Sequence, residues 1–255
     1  MIRLAVLALL WPASVAGQAG HDIVVLGEVH DNPAHHARQA EIVAALSPAA
    51  VVWEMLPAEA ADRVAAVGTA DGAALAAALG WQALGWPEFA MYHPIFVAAG
   101  EAVHIGAAVG RDDLRVAMQE GAAAVLGPEA AAFGLVPLDA AEQAEREAGQ
   151  ASAHCDALPA EMLPGMVEAQ RLRDAAFARA AIGAFETHGG PVVVITGTGH
   201  ARTDRGVPAA IAAARPGVSV WALGQLEAEP EGDVPFDAVA VDPAPARPDP
   251  CAAFH

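Results

Sequence analysis

The chain has 255 residues, thirteen of them arginine and none lysine, and a formal net charge of −18. This length suffices for one large domain with a buried core or for two small ones. Because no cluster of basic residues interrupts so acidic a sequence, we expect neither a nucleic acid nor an anionic membrane surface as a partner.

The first sixteen residues have the pattern of a cleavable signal peptide. Arg3 supplies a minimal basic segment, residues 4–10 are apolar, and Ser14-Val15-Ala16 forms a small-x-small cleavage site. The apolar run is too short to persist as a membrane-spanning helix, and no lipobox cysteine follows it. A buried first strand is the alternative interpretation. We expect a periplasmic or secreted protein, in which Cys155 and Cys251 either pair or stay as free buried thiols.

After this segment, strand and helix signals alternate along the chain. Short, fully apolar runs predict buried strands, and alanine-rich or amphipathic segments predict helices between them. Residues 80–89, which include two tryptophans, are expected to form an irregular loop. We predict strands at 23–26, 51–53, 102–105, 192–195 and 218–223, and helices at 33–47, 57–67, 71–79, 92–99, after 112 and at 208–214.

The stretch from 127 to 188 carries helix signals only. Strands that alternate with helices predict a mostly parallel sheet, so we expect this stretch to be a helical subdomain inserted between two of its strands. The sequence therefore predicts an α/β fold over residues 17–242: a mostly parallel β-sheet flanked by helices, with the insertion at 127–188. The Pro/Asp-rich residues 243–255 are expected to be a loose tail.

Two of the predicted strands end in the same pattern, G-x-x-H. Residues 23–26 lead into Gly27 and His30, with Glu28 between them, and residues 192–195 lead into Gly197 and His200. In open parallel sheets, ligands bind beyond the carboxyl ends of the strands, where glycine permits a tight turn. Both histidines are therefore expected to face one crevice.

Glu54 ends the strand at 51–53 and is expected at the same edge, so Glu28, His30, Glu54 and His200 are candidates for one catalytic site. Imidazole with carboxylate suits a divalent metal ion or an acid/base pair. The set matches no zinc motif, and a structural role is the simpler interpretation of any one of these histidines. If the protein is an enzyme, these residues predict a hydrolase.

A second group of residues suits haem, whose axial ligands are His, Tyr, Met or Cys. Tyr92, the only tyrosine, lies beside His93 and follows the tryptophan-containing segment, an apolar setting suited to a flat macrocycle. His154 lies at a break in the helical stretch. Tyr92, His93 and His154 are therefore candidate haem-binding residues. An ordinary packed or exposed side chain is the alternative for Tyr92 and for His154.

The helix predicted after residue 159 places two polar residues, Gln170 and Asp174, on an otherwise apolar stripe. Burying them costs free energy unless they form hydrogen bonds. Arg173 is the nearest counter-charge in the sequence. The pair either clamps the structure or lines a pocket.

At these residues the chain resembles the ChaN family of haem-binding bacterial envelope proteins, within the superfamily that includes the TIKI and TraB proteins and erythromycin esterases. The matches extend over residues 22–223. They comprise Leu26-Gly27-Glu28-Val29-His30, Asn32, His36, Gln39, Glu54, Tyr92 with Pro94, His154-Cys155, Val167-Glu168-Ala169-Gln170, Arg173-Asp174 and Gly197-Thr198-Gly199-His200.

The resemblance implies haem binding and a role in iron uptake, with a homodimer that holds haem between its subunits and an outer-membrane haem-uptake system as partner. It also implies a parallel sheet with flanking helices. Some members of the family are lipoproteins, whereas this chain has no lipobox cysteine. Other branches of the superfamily are regarded as hydrolases, some of them metal-dependent. The resemblance thus favours haem binding through His154 or Tyr92 and leaves a hydrolase as the alternative.

Overall fold

The computed structural model of the protein describes residues 17–249, 251 and 252, so the predicted signal peptide lies outside the described residues. The predicted α/β fold is confirmed. Among the described residues, six strands form one sheet in the order β3-β2-β4-β1-β5-β6, and every neighbouring pair is parallel. The strands are β1 Ile23–Glu28, β2 Ala50–Trp53, β3 Val103–Gly106, β4 Val192–Gly197, β5 Val220–Leu226 and β6 Ala238–Val241.

Helices cover both faces of the sheet. Their bounds are α1 Pro33–Leu46, α2 Ala58–Val67, α3 Gly72–Leu79, α4 Trp81–Leu84, α5 Phe89–Ala98, α6 Arg111–Glu120, α7 Ala122–Leu126, α8 Ala140–Ala153, α9 Leu163–His188 and α10 Val207–Ala214. Within the described part of the chain, no helix combines the length and the apolar character that crossing a bilayer requires.

The sheet separates two hydrophobic cores because successive side chains of a strand point to opposite faces. In β1, Ile23 and Val25 pack with α6, α7, α9 and α10, whereas Val24 and Leu26 pack with α1, α2, α3 and α5. Both sets are fully buried. This explains why β1 and β4 are continuous apolar runs in the sequence: neither face of the central strands contacts solvent.

Local signals set the limits of α1, which adjoins the site. Asn32 precedes the helix, and its side chain accepts a hydrogen bond from the backbone N–H of Ala34 at 3.0 Å. Pro33 occupies the first helical position, where a missing N–H costs nothing. Ser47 ends the helix in a left-handed conformation, and Pro48 follows, so the helix stops where the sequence predicts.

The helical stretch predicted at 127–188 lies between β3 and β4 in the chain, and part of it contacts the sheet. Its longest member, the 26-residue α9, packs directly on the sheet, and its buried face belongs to the same core as β1 and β4. The 14-residue α8 packs on α9 and buries none of its own residues fully. The predicted loop at 80–89 contains the short α4, and β6 was not predicted.

The described residues after β6, which belong to the stretch 243–255 expected to be a loose tail, make contacts with the rest of the chain. Arg247 pairs with Asp31 at 2.7 Å and with Glu227. Cys251 forms a disulfide with Cys155, 96 residues earlier. Charge pairing next to the carboxyl edge of the sheet and one covalent link therefore fix a segment whose Pro/Asp composition alone indicates disorder.

Candidate functional site

The site begins where β1, β4 and β2 end side by side. Glu28 is the last residue of β1 and pairs in register with Gly197, the last residue of β4. Glu54 directly follows β2, and its backbone N–H donates to the carbonyl of Ile195 in β4 at 3.1 Å. Because β4 lies between the other two strands, all three ends open at one edge.

Glu28 is the centre of a first polar cluster, which we call the Glu28 cluster (Glu28, His30, His36 and Tyr92). Its carboxylate is fully buried, and Oε1 lies 2.8 Å from His30 Nδ1 and accepts from the Tyr92 hydroxyl at 2.8 Å. Oε2 lies 3.3 Å from His36 Nδ1, while His36 Nε2 donates to the His30 carbonyl at 2.8 Å. Side chains from α1 and α5 thus fix the carboxylate, and the carboxylate fixes His30.

His30 is the accessible member of this cluster, with 32% of its side chain exposed. Its ring meets the Trp86 ring edge-on, with centroids 4.8 Å apart. Partial burial lowers the pKa of His30, but the hydrogen bond to Glu28 and the negative charges of Glu54 and Glu28 outweigh burial and raise it. His30 is therefore a histidine that holds its proton more tightly than a free one and presents it to the edge of the site.

A second polar cluster, the His200 cluster (Glu54, Gln170, Asp174, Thr196 and His200), comes from the opposite face of the sheet. His200 Nδ1 lies 2.6 Å from Asp174 Oδ1 and 3.0 Å from Gln170 Nε2. Its Nε2 lies 3.6 Å from Glu54 Oε1. Glu54 Oε2 accepts from the Thr196 hydroxyl at 2.6 Å and from the backbone N–H of the next residue at 2.8 Å.

The charges in this cluster follow from its contacts. Burial of Glu54 disfavours its charged form, but His200, His30 and the two hydrogen-bond donors outweigh burial and lower its pKa. Burial likewise lowers the pKa of His200, and the carboxylates of Glu54 and Asp174 on either side of the ring raise it by more. Burial raises the pKa of Asp174, which favours a proton held between Asp174 and His200. The Glu54 carboxylate and the His200 imidazole therefore each favour the charged form of the other.

The two clusters meet over Gly197. A Cβ atom at this position would lie 3.1 Å from His30 Nε2 and 3.8 Å from Glu54 Oε2. Gly27 has a related role, because a Cβ there would come within 2.8 Å of the Thr198 backbone. The glycines of the two G-x-x-H patterns therefore let the two turns pack closely and leave a small space between His30 and Glu54.

The structure thus brings Glu28, His30, Glu54 and His200 together at one edge. Two carboxylates and two imidazoles in this order can take up, hold and release protons. Within residues 17–249, 251 and 252, no group of three or more His, Cys, Asp or Glu side chains is placed to hold a metal ion. The polar side-chain atoms of these four residues face one another in pairs. This arrangement suits proton sharing better than it suits binding of the divalent metal ion considered from the sequence.

A cleft of about 360 Å³ lies beside the His200 cluster, between α8, α9 and the turn after β4. It contains His154 at the end of α8 and three arginines, and it shares Gln170, Asp174 and Gly199 with the site just described. The residues that line it are Arg146, Gly149, Gln150, Ala153, His154, Val167, Gln170, Asp174, Gly199, Arg202 and Arg205.

The three predicted haem-binding residues fall in different places. His154 lines this cleft, and its Nδ1 hydrogen-bonds to the Gln150 carbonyl at 2.8 Å. Tyr92 is fully buried and offers its hydroxyl to Glu28, and burial together with that carboxylate raises its pKa. His93 points toward α3 and hydrogen-bonds to the Thr69 carbonyl at 2.8 Å. Of the three, only His154 borders a cavity beside the site.

Some functional neighbours were missed from the sequence. The partner of Asp174 is His200, not the adjacent Arg173, because α9 crosses the sheet beside the end of β4. The contact of His36 with Glu28 was also missed, because it joins the first turn of α1 to the end of β1. Among the arginines of the cleft, Arg146 carried a usable signal, since it precedes Gln150 and His154 at four-residue intervals.

Comparisons with known proteins agree with this architecture. A family model described as haem-binding uptake, Tiki superfamily, ChaN matches residues 15–211. A solved structure described as cofacial haem binding to ChaN of Campylobacter jejuni superposes with a TM-score of 0.65, covers 84% of each chain and is 20% identical in sequence. No match was found among curated proteins. At this identity, the solved structure establishes the fold.

Proposed function

Because the chain belongs to the ChaN family of haem-binding uptake proteins in the Tiki superfamily, we propose that it is an exported protein that binds haem for iron uptake. The cleft beside the His200 cluster is the proposed site. The observation that carries this assignment is His154, an imidazole on the wall of a cleft that three arginines also line.

His154 has the environment of a metal-binding histidine. Its Nδ1 donates to the Gln150 carbonyl, so in the neutral ring Nε2 carries the lone pair that binds iron. Haem would supply the iron and a wide apolar face, and Ala153 and Val167 in the cleft would pack against that face. Tyr92 is the weaker candidate, because its buried hydroxyl is already engaged by Glu28.

We propose that a second subunit completes the site. Small-molecule sites cover roughly 70–90% of their ligand and have volumes of roughly 300–1,000 Å³, and this cleft of about 360 Å³ is at the low end. A tetrapyrrole bound at His154 would leave much of one face uncovered. A homodimer that brings two such faces together would cover both, and the Campylobacter protein is described as binding haem cofacially.

Export is proposed from two independent features. The first sixteen residues have the composition of a signal peptide, and Cys155 and Cys251 are joined in a disulfide, the form that persists outside the reducing cytoplasm. An outer-membrane haem-uptake system is the partner class that we propose, because the matching family is described as haem-binding uptake. Mass spectrometry of the protein from its own envelope tests the proposal: a mass that begins after Ala16 is expected, and one that includes Met1 contradicts it.

Titration with haemin, followed in the Soret region, tests haem binding and the ligand. The wild type is expected to give a saturable shifted band, and His154→Ala is expected to lose it or weaken binding at least tenfold. Tyr92→Phe and His188→Ala, a change at an exposed histidine, should keep the band. A His154→Ala spectrum and affinity identical to those of the wild type would overturn this ligand assignment. Absence of any saturable band in the wild type would overturn haem binding.

A hydrolase is a second candidate function, favoured by one specific observation. Asp174, His200 and Glu54 form a continuous row of contacts, and His30 faces Glu54 across the space over Gly197. Such a row suits general acid/base catalysis, with His30 or His200 as the proton donor. A panel of ester and amide substrates, with Glu54→Gln and His200→Gln as knock-outs, tests it. Turnover that persists unchanged in both variants would exclude this site as its source.

A further inference from the structure

We infer that the disulfide between Cys155 and Cys251 is a redox switch, and that its reduction by a dithiol releases the ligand of the cleft. This inference rests on the proposed haem site and adds its regulation. The bond joins two parts of the chain that are 96 residues apart. One is the turn after α8, next to the candidate iron ligand His154, and the other is the segment after β6.

Helix α8 is the wall of the cleft that packing supports least. None of its residues is fully buried, whereas α9, which also lines the cleft, packs on the sheet as part of a hydrophobic core. A helix with few buried apolar contacts opens locally at a low cost in free energy. The position of His154, which directly follows the last residue of α8, therefore depends on the contacts made at this end of the helix.

The turn after α8 has a backbone conformation that favours glycine, although no glycine is present. Cys155 has φ 59° and Asp156 has φ 53°, and helices that end in this left-handed region most often use glycine there. The Asp156 N–H donates to the Ala151 carbonyl at 2.9 Å and closes the helix. Because a Cβ atom disfavours this conformation, the covalent bond to Cys251 helps to hold it. Reduction therefore loosens the turn that positions His154.

The segment that carries Cys251 has few other attachments. Of its described residues after 243, only Arg247 forms hydrogen bonds with residues outside the segment, and its partners are Asp31 and Glu227. The Asp31 side chain is 42% exposed, and ion pairs that water can reach contribute little free energy. Once the disulfide is broken, the segment can move away from the turn after α8.

The disulfide is open to thiol–disulfide exchange in the folded protein, because Cys155 and Cys251 are both only half-buried. One thiolate of the dithiol forms a bond to one of the two cysteine sulfurs, and the bond between the cysteines breaks. The displaced cysteine leaves as a thiolate and takes up a proton. The second thiolate of the dithiol then displaces the other cysteine, which is protonated in turn. The dithiol ends as a disulfide, and the protein gains two electrons and two protons.

Transfer of haem to an excess of apomyoglobin tests the inference, because it measures how fast haem leaves the protein. The wild type and Cys155→Ser/Cys251→Ser are loaded with haemin and compared with and without dithiothreitol. The serine variant is the matched control, since it contains no disulfide and reports any direct effect of the thiol on haem. Maleimide labelling follows the reduction, and urea unfolding checks that the reduced wild type is folded. Proton NMR of His154 in the haem-free protein reports on the turn itself.

Reduction is expected to speed haem loss from the wild type about tenfold, since changes in affinity act mostly on the dissociation rate. The variant should lose haem at the faster rate with and without dithiothreitol, and reduction of the haem-free wild type should shift the His154 signal. Equal rates from the oxidised and the reduced wild type, with haemin bound, overturn the inference and leave the proposed function intact. A bond that is reduced only after unfolding does the same. Failure of haemin to bind to the oxidised wild type overturns both.

Discussion

Asp174 and His200 lie 26 residues apart in the sequence and share a 2.6 Å contact between Oδ1 and Nδ1. One comes from the middle of α9 and the other from the turn after β4, and both are buried. This contact links the two parts of the site. His200 extends on toward Glu54 at the sheet edge, whereas Asp174 lines the cleft that contains His154. A ligand in the cleft therefore lies one side chain away from the acid/base residues.

The first prediction is that Asp174→Asn destabilises the protein and lowers the pKa of His200. The amide keeps the shape of the side chain but removes a charge that stabilises the imidazolium. A hydrogen bond to a charged group contributes about 1.5–3 kcal/mol, and a loss in that range is expected in urea unfolding. The pKa of His200 is measured by NMR. Asp112→Asn, at an exposed aspartate, is the control and should change stability by less than about 0.5 kcal/mol. An unchanged His200 pKa contradicts the prediction.

The second prediction is that the free energy of unfolding decreases as the pH rises above about 6.5, through the raised pKa values of His30 and His200. The pKa values of His30 and His200 are raised above the ordinary 6.5, so their stabilising contributions are complete below that pH and are lost as pH rises through the folded values. Burial lowers the pKa of His35, and it lowers that of His104 to about 4. Their contributions are complete above pH 6.5 and are lost as pH falls. Glu54, with a lowered pKa, adds to the loss below about pH 4.5.

Single substitutions separate the two limbs of this profile. His200→Gln should flatten the decline of unfolding free energy above pH 6.5, and His104→Gln should flatten part of the decline below it. Urea unfolding at intervals between pH 4 and pH 9 provides the measurement. A wild-type stability that still increases between pH 6.5 and pH 8.5 would show that the raised histidine pKa values do not govern the alkaline limb.

The third prediction concerns the disulfide between Cys155 and Cys251. It closes a loop of 96 residues, and a disulfide typically stabilises a protein by about 2–4 kcal/mol, more for longer loops. The double variant Cys155→Ser/Cys251→Ser should lose this amount, and a reductant should lower the stability of the wild type alone. Because Cys155 follows His154 directly, haem affinity is also expected to fall. Equal unfolding midpoints with and without reductant in the wild type would contradict the prediction.

Much of the fold could be predicted because the sheet is buried on both faces. The runs at 23–26 and 192–195 consist entirely of Ile, Leu and Val, and such short runs bounded by turns indicate central parallel strands. β6 (Ala238–Val241) escaped prediction because it is only four residues long, half-buried, and lies between proline- and aspartate-rich segments. A helical amphipathic pattern predicts that α9 is a helix, but it does not tell which element the helix packs on.

The candidate site was predictable in part because most of its residues directly follow predicted strands. Residues that directly follow strands must lie at the edge of the sheet, so the approach of Glu28, Glu54 and His200 follows from topology. The Asp174–His200 contact depends on where α9 crosses the sheet, and sequence spacing carries no information on that. Proximity in the sequence pointed instead to Arg173, which does not form the close pair.

The last prediction separates the haem cleft from the acid/base site by adding one methyl group to each. Gly197 has φ −63° and ψ 148°, a conformation that alanine adopts freely. In Gly197→Ala the new Cβ fills the space between His30 and Glu54, at 3.1 Å from His30 Nε2, and the partly exposed His30 ring can move aside. We expect a stability change of less than about 1 kcal/mol, a shifted His30 NMR signal, and the loss of any hydrolase activity with haem affinity unchanged.

Gly199→Ala is the reciprocal change. Its Cβ would lie 3.8 Å from Gln170 Nε2, an ordinary contact, on the wall of the cleft. This variant is expected to weaken haem binding and to leave the His30 signal where it is in the wild type. Haemin titration, proton NMR and urea unfolding of both variants give the full comparison. If Gly197→Ala weakens haem binding and Gly199→Ala does not, haem lies over Gly197 beside His30, and the cleft assignment fails.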